Sequence, residues 1–184
     1  MIKIFKIKPW RPTHINGPIA GTPVYKPEII GKIIKKAKRP LLIVGGYEYD
    51  VDIGNGKTYL DLLVELVKKK KIPVVATTEV AKTFVEKDIK PVAIMSVSNV
   101  IHRVCDENWK GFDGKGHYDW VIIAAMVYYL QSQMFSAMKH FSYKWSKGIS
   151  LDRYFQPNAS FCLANFKVEE WKKAINDIVK LIME

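Results

Sequence analysis

Trp120-Val-Ile-Ile-Ala-Ala125 is apolar from end to end, and so is Leu41-Leu-Ile-Val44. Runs this short, with no polar face to offer water, predict strands covered on both sides. Pro73-Val-Val-Ala-Thr77 reads the same way, and Val92-Ala-Ile-Met95, Gly148-Ile-Ser-Leu151 and Ser160-Phe-Cys-Leu163 read as further strands. Between these runs the apolar period changes to that of a helix. Pro27 suits a first helical turn, and Ile29, Ile30, Ile33, Ile34 and Ala37 follow at helical spacing. Lys35, Lys36, Lys38 and Arg39 fall in the predicted last turn, where cations are favoured, and Pro40 ends the helix. Further helices are predicted over 57–70, 79–89, 99–105, 129–141 and 168–182. In the fifth of these six, Leu130, Met134, Ala137, Met138 and Phe141 are expected to point inward. Apolar strands alternating with amphipathic helices predict the α/β class. The expected architecture is a doubly wound, Rossmann-like parallel sheet of about six strands with helices on both faces.

The chain has 184 residues, 48% of them hydrophobic and 26% charged, which suits one globular domain and excludes wholesale disorder. Residues 1–25 read as an extended arm. Pro9, Pro12, Pro18 and Pro23, with Gly17 and Gly21, forbid a long helix there, while Trp10 and Tyr25 could anchor it. Residues 26–184 form the single α/β domain. No apolar run approaches the roughly 20 residues that cross a bilayer. The charged, alternating start lacks the core of a secretory signal, so the reading is cytoplasmic. Cys105 and Cys162 are too few to ligate a cluster or a structural zinc within this chain, and they allow one disulfide without implying it. The formal net charge is +11, carried mostly by lysines spread along the chain. Nucleic-acid binders concentrate their basic residues, and the run Lys68 to Lys71 falls at a predicted helix C-terminus, so no nucleic-acid partner is expected.

Several motifs invite chemistry. Gly54-Asn-Gly-Lys-Thr58 matches the end of a phosphate-binding P-loop, but Val51 stands where its first glycine should be. The segment reads instead as a flexible turn opening the second helix. Gly45-Gly46 follows the first inner strand, and ligands of doubly wound sheets settle at the carboxyl ends of strands. Thr77, Thr78, Asp152 and Arg153 end other strands, so these six residues are the candidate crevice for FAD or another nucleotide. The full G-x-G-x-x-G fingerprint is missing, because Tyr47 and Tyr49 follow. The four histidines show no ligand spacing, and Asp113-Gly-Lys-Gly116 has only the opening of a calcium loop. No metal and no catalytic residue is assigned. The aromatic and methionine surplus of 128–143 either packs under loops or forms a subunit contact.

Several blocks are similar to a known family. Lys36-Ala-Lys-Arg-Pro-Leu-Leu-Ile-Val-Gly45, Lys71-Ile-Pro-Val-Val-Ala76 and Tyr118-Asp-Trp-Val-Ile-Ile123 share their cadence with the middle domain of thiamine-diphosphate enzymes. Asn108-Trp-Lys-Gly-Phe-Asp-Gly114, Ile149-Ser-Leu-Asp-Arg153 and Gln156-Pro-Asn-Ala-Ser160 are more specific. In this order they resemble the epsilon subunit of the archaeal carbon monoxide dehydrogenase/acetyl-CoA synthase (acetyl-CoA decarbonylase/synthase) complex. The resemblance implies a fold like the flavin- and nucleotide-binding domain of those enzymes. It implies an accessory subunit, not catalytic on its own, that stabilises a large nickel- and iron–sulfur-bearing alpha subunit in an alpha2-epsilon2 assembly and assists electron transfer to FAD. An independent flavin- or nucleotide-binding electron-transfer module is the alternative. No firmly bound cofactor is expected.

Overall fold

Three of the inner strands form where the sequence is apolar throughout. In a computed structural model describing residues 19–54 and 56–184, β1 (Thr22–Val24) and α1 (Glu28–Lys36) lead into β2 (Pro40–Val44). A hairpin follows, β3 (Asp52–Gly54) with β4 (Lys57–Thr58), then α2 (Tyr59–Lys70), β5 (Val74–Ala76) and α3 (Thr78–Glu86). Then come β6 (Ala93–Ile94), α4 (Val97–Cys105), β7 (Trp120–Ala124), α5 (Tyr128–Phe141), β8 (Lys147–Ser150), β9 (Phe161–Leu163) and α6 (Val168–Met183). Among the described residues the main sheet has seven strands in the order β1-β9-β8-β7-β2-β5-β6, and every pairing in it is parallel. Without β1 this is the 3-2-1-4-5-6 order of a doubly wound sheet.

Alternation along β2 shows why both sheet faces are covered. Leu42 and Val44 join one core cluster, with Ile30 of α1, Leu63 of α2, Phe84 of α3 and Trp171 of α6. Leu41 and Ile43 join the other, with Val100 of α4 and Phe135 of α5. Each fully buried aliphatic side chain of this kind stabilises by about 1.5–3 kcal/mol. Helix α2 starts at a reciprocal cap. The Thr58 hydroxyl accepts from the Asp61 amide at 3.3 Å, and the Asp61 carboxylate accepts from the Thr58 amide at 2.8 Å.

Four expectations change. The seventh strand is β1, so Thr22–Val24 of the predicted arm pair in parallel with Phe161–Leu163, while residues 1–18 lie outside the described residues. The P-loop-like turn is the tip of the β3–β4 hairpin, whose Lys57 ammonium pairs with the Glu65 carboxylate. Phe141 is 68% exposed, and the buried stripe of α5 is Gln131, Phe135 and Met138. Arg39 lies beyond α1, and its charge meets a side chain far along the sequence.

That side chain is Asp113, at the amino ends of the strands. Arg39 donates to both Asp113 oxygens, at 2.8 and 3.2 Å, and to the carbonyls of His117 at 3.2 Å and Gly116 at 3.1 Å. Asp119 accepts from the backbone amides of Lys38 at 2.7 Å and Arg39 at 3.0 Å. Trp109, Phe112 and Tyr118 pack edge to face or tilted, with centroids 5.1–6.5 Å apart. The glycine-rich block at 108–116 is therefore a folded plug latched to the start of β2.

Candidate functional site

The switch point of the sheet lies between β2 and β7, because the chain leaves β2 toward β5 and leaves β7 toward β8. Past their carboxyl ends the two strands stay joined. Gly45 donates to the Ala124 carbonyl at 3.0 Å, and Tyr47 donates to the Ala125 carbonyl at 2.9 Å. Ala125 sits at φ +54°, a left-handed conformation costly for a residue with a Cβ. The turn aims two successive amides, Ala125 and Met126, at one side chain. Such paired amides make an anion-binding concavity.

The anion in that concavity is Asp152. Its carboxylate accepts from Ala125 N at 2.8 Å, Met126 N at 3.2 Å, Gln131 Nε2 at 2.8 Å and the Tyr59 hydroxyl at 3.4 Å. Gln131 is held in turn by the Ser150 hydroxyl, which donates to its Oε1 at 2.7 Å. Tyr59 packs edge to face on Trp171 at 4.8 Å, and the Trp171 indole N–H donates to the Leu151 carbonyl at 2.9 Å. Burial pushes the Asp152 carboxyl up to about 6, although its four donors pull the other way. Burial, then the Asp152 charge, drives the Tyr59 phenol well above its ordinary range. Among the described residues no cation meets Asp152; neutral donors hold it.

Two cavities open at these strand ends. A cleft of about 410 Å³ is lined by Gly45, Gly46, Thr77 and Thr78 of the predicted set, joined by Glu79 and Ser96. A smaller pocket of about 130 Å³ is lined by Asp152 with Tyr128 and Gln156. Tyr47, Met126 and Val127 border both. Arg153 lines neither cavity. Its guanidinium lies over the Tyr154 ring at 4.2 Å, and its Nε is 3.9 Å from the Glu48 carboxylate. Sequence reasoning missed Gln131, Glu79 and Gln156. Gln131 carried a signal, being a polar residue in the buried stripe of an amphipathic helix. Gln156 opens one of the more specific family-like blocks.

The glycine turn does not fit a pyrophosphate. A Cβ at Gly45 would collide with the Ala125 carbonyl, and one at Gly46 would lie 2.8 Å from the Glu79 Cβ. Both glycines therefore serve close packing within the chain, and a carboxylate already stands beside them. The Thr77 hydroxyl donates to Glu79 at 2.6 Å. The hydroxyl-rich side of the cleft, at Thr77, Thr78 and Ser96, is where a nucleotide could lie.

The thiols are buried in different degrees. Cys162 is fully buried, and burial pushes its thiol up to about 12; Cys105 is half-buried and also shifted up by burial. Among the described residues no group of three or more His, Cys, Asp or Glu could hold a metal ion. No helix among them is long and apolar enough to cross a membrane.

Residues 3–179 match the family model described as CO dehydrogenase beta subunit/acetyl-CoA synthase epsilon subunit. The chain belongs to this family. Among its relatives, the acetyl-CoA decarbonylase/synthase complex subunit epsilon 1 of Archaeoglobus fulgidus is 36% identical over 144 residues, covering 76% of this chain and 72% of the relative. The epsilon subunit of the same-named complex in Methanothermobacter thermautotrophicus is 33% identical over 168 residues, covering 90% and 91%. That of Methanothrix soehngenii is 33% identical over 178 residues, covering 93% and 89%. Family members thus share the length of this domain, and the sheet carrying the Asp152 turn lies inside the matched span.

Proposed function

We propose that the chain is a non-catalytic accessory subunit of an acetyl-CoA decarbonylase/synthase complex. It binds and stabilises a large alpha subunit, in an alpha2-epsilon2 assembly, and carbon monoxide oxidation takes place on the nickel and iron–sulfur centres of that partner. The observation that carries this reading is the family match over residues 3–179, with relatives named as epsilon subunits of that complex. The chain's own chemistry agrees with it. Its strand-end carboxylate, Asp152, is fixed by four donors within the fold, leaving it no free geometry for acid–base work. The surface offers apolar anchors, with Tyr129 and Phe141 each 68% exposed at the two ends of α5. Purification of the native complex tests the proposal. The chain should travel with a large iron–sulfur protein through sizing and ion exchange, and recovery only as a free monomer would refute it.

A second reading is favoured by the position of the 410 Å³ cleft at the switch point. In it, the subunit holds a flavin or another nucleotide there and assists electron transfer to FAD, or does so as an independent module. Its phosphates would rest on the Thr78 and Ser96 side, since Glu79, which holds the Thr77 hydroxyl, and Asp152 occupy the glycine turn and the amide concavity. Titration of FAD into the isolated chain decides it. Saturable quenching of flavin fluorescence at tens of micromolar, roughly −6 kcal/mol of binding, supports this reading, and its absence removes it.

A further inference from the structure

The 410 Å³ cleft has a chemical direction, because it runs along the strand order β7-β2-β5-β6. Beyond β7 its wall is apolar, with Met126, Val127 and Leu130. Beyond β6 it carries the hydroxyls of Ser96 and Ser98. Glu79 stands between these ends, exposed, in the first turn of α3 beyond β5. Apolar wall, carboxylate and hydroxyls follow in the order that a base, a sugar and a phosphate need. The volume lies at the small end of the roughly 300–1,000 Å³ of ligand pockets, which suits one nucleotide unit.

Two contacts fix the Glu79 side chain. Its Oε2 accepts from the Thr77 hydroxyl at 2.6 Å. Its Cβ, Cγ and Cδ lie against Gly46, where an added Cβ would come within 2.8, 3.2 and 3.3 Å of them. Gly46 therefore makes room for a carboxylate. An ionised carboxylate only accepts, at about four lone-pair positions, and Thr77 takes one. The positions left suit the paired hydroxyls of a ribose. They do not suit a phosphate, which adds like charge. In dinucleotide-binding sheets an acid about 20 residues past the glycine turn takes a ribose 2′-hydroxyl. Glu79 lies farther along the sequence because the β3–β4 hairpin intervenes, and the β2–β5 pairing brings it back to the turn.

We propose that Glu79 accepts the 2′- and 3′-hydroxyls of a ribonucleotide unit in this cleft, with the base on the apolar wall and the 5′-phosphate at Ser96 and Ser98. This sugar specificity rests on the nucleotide reading of the cleft given above. A free ribose diol is taken; a 2′-deoxy sugar binds weakly, and a 2′-phosphate is repelled by the carboxylate.

Calorimetric titration of the full 184-residue chain with ADP, 2′-deoxy-ADP, adenosine 2′,5′-bisphosphate and FAD tests it. ADP should bind about tenfold more tightly than 2′-deoxy-ADP, and the bisphosphate should bind most weakly. In Glu79→Gln, checked for an unchanged fold by its NMR amide spectrum, ADP should weaken about tenfold and 2′-deoxy-ADP much less, so that the two converge. The bisphosphate should gain affinity in the same variant. A merely structural Glu79 would weaken all of them alike. Equal affinities for ADP and 2′-deoxy-ADP, a ratio that survives Glu79→Gln, or binding of FAD but not ADP would overturn the proposal and leave the nucleotide reading standing. Absence of binding by all four would remove both.

Discussion

At the amino ends of β2 and β7 an aspartate meets a guanidinium; at their carboxyl ends an aspartate meets only amides, a hydroxyl and a glutamine. Asp113 is exposed and bidentate with Arg39, whose hydrogen bonds hold its carboxyl down at about 2. Asp152 is half-buried, meets no cation among the described residues, and desolvation pushes it up to about 6. The same functional group is a solvated latch at one end of the sheet and a desolvated internal anchor at the other. The first gains its charge cheaply and holds one loop. The second costs stability in its ionised form, yet it fixes the β7–α5 turn from inside, including the left-handed Ala125. The loop most specific to the family-like pattern thus serves the fold, while the candidate binding region lies at the opposite end.

Removing Asp152 should have the largest effect. Asp152→Ala leaves the Ala125 and Met126 amides and the Gln131 side chain without their acceptor, so a loss of about 3–5 kcal/mol is expected in urea unfolding at pH 7. A loss below about 1 kcal/mol would mean the anchor is dispensable and the contrast between the ends is empty. Next comes the pH dependence. Asp152 has a folded-state pKa of about 6 against an ordinary 3.8, so between those values the folded protein holds a proton that the unfolded chain releases. Its contribution is fully present below pH 3.8 and is lost as pH rises through 6. It amounts to about 3 kcal/mol at most. Asp152→Asn should flatten that limb of the stability–pH curve, whatever its absolute stability.

Asp113 sharpens the comparison because its sign is opposite. Its pKa is lowered, so its contribution is present above pH 3.8 and lost as pH falls through 2. Asp113→Asn should remove a small acid-side loss of stability that 1 M salt also suppresses, while salt leaves the Asp152 limb nearly intact. Hydrogen exchange should quicken at Gly116, whose amide donates to the Lys110 carbonyl within the latched loop. The smallest effect belongs to the exposed face of α5. Tyr129→Ser should change stability by less than about 0.5 kcal/mol. A large loss there would mean that the face supports the fold and is not held for a partner.

The inner strands β2, β5 and β7 were legible because each needed nothing but apolar residues to be recognised. β1 was not, because Pro23 and its neighbours read as an arm, and an edge strand tolerates proline where an inner one does not. The β3–β4 hairpin was hidden because its strands of 3 and 2 residues are too short for an alternating pattern to stand out. Phe141 was misplaced because helical spacing assigns a face but not its end: the core stops at Met138 and the helix runs one turn further. In the candidate site, Gly45, Gly46, Thr77 and Thr78 were chosen from strand ends alone, and they share one cleft. Asp152 was chosen by the same rule, but its hydrogen bonding was not legible, since its donors lie 21 to 93 residues away in sequence. Arg153 was chosen as its neighbour, and the backbone turns it onto Tyr154.

In the proposed function this sheet is a scaffold held by a larger redox protein and does no chemistry unaided. Native mass spectrometry of the purified chain mixed with the large metallocluster subunit, with carbon monoxide oxidation followed on the same samples, tests it most directly. Equimolar association, activity only where the large subunit is present, and a longer activity half-life once the chain is bound are expected. Two separate masses with an unchanged half-life, or turnover by the chain alone, would contradict it.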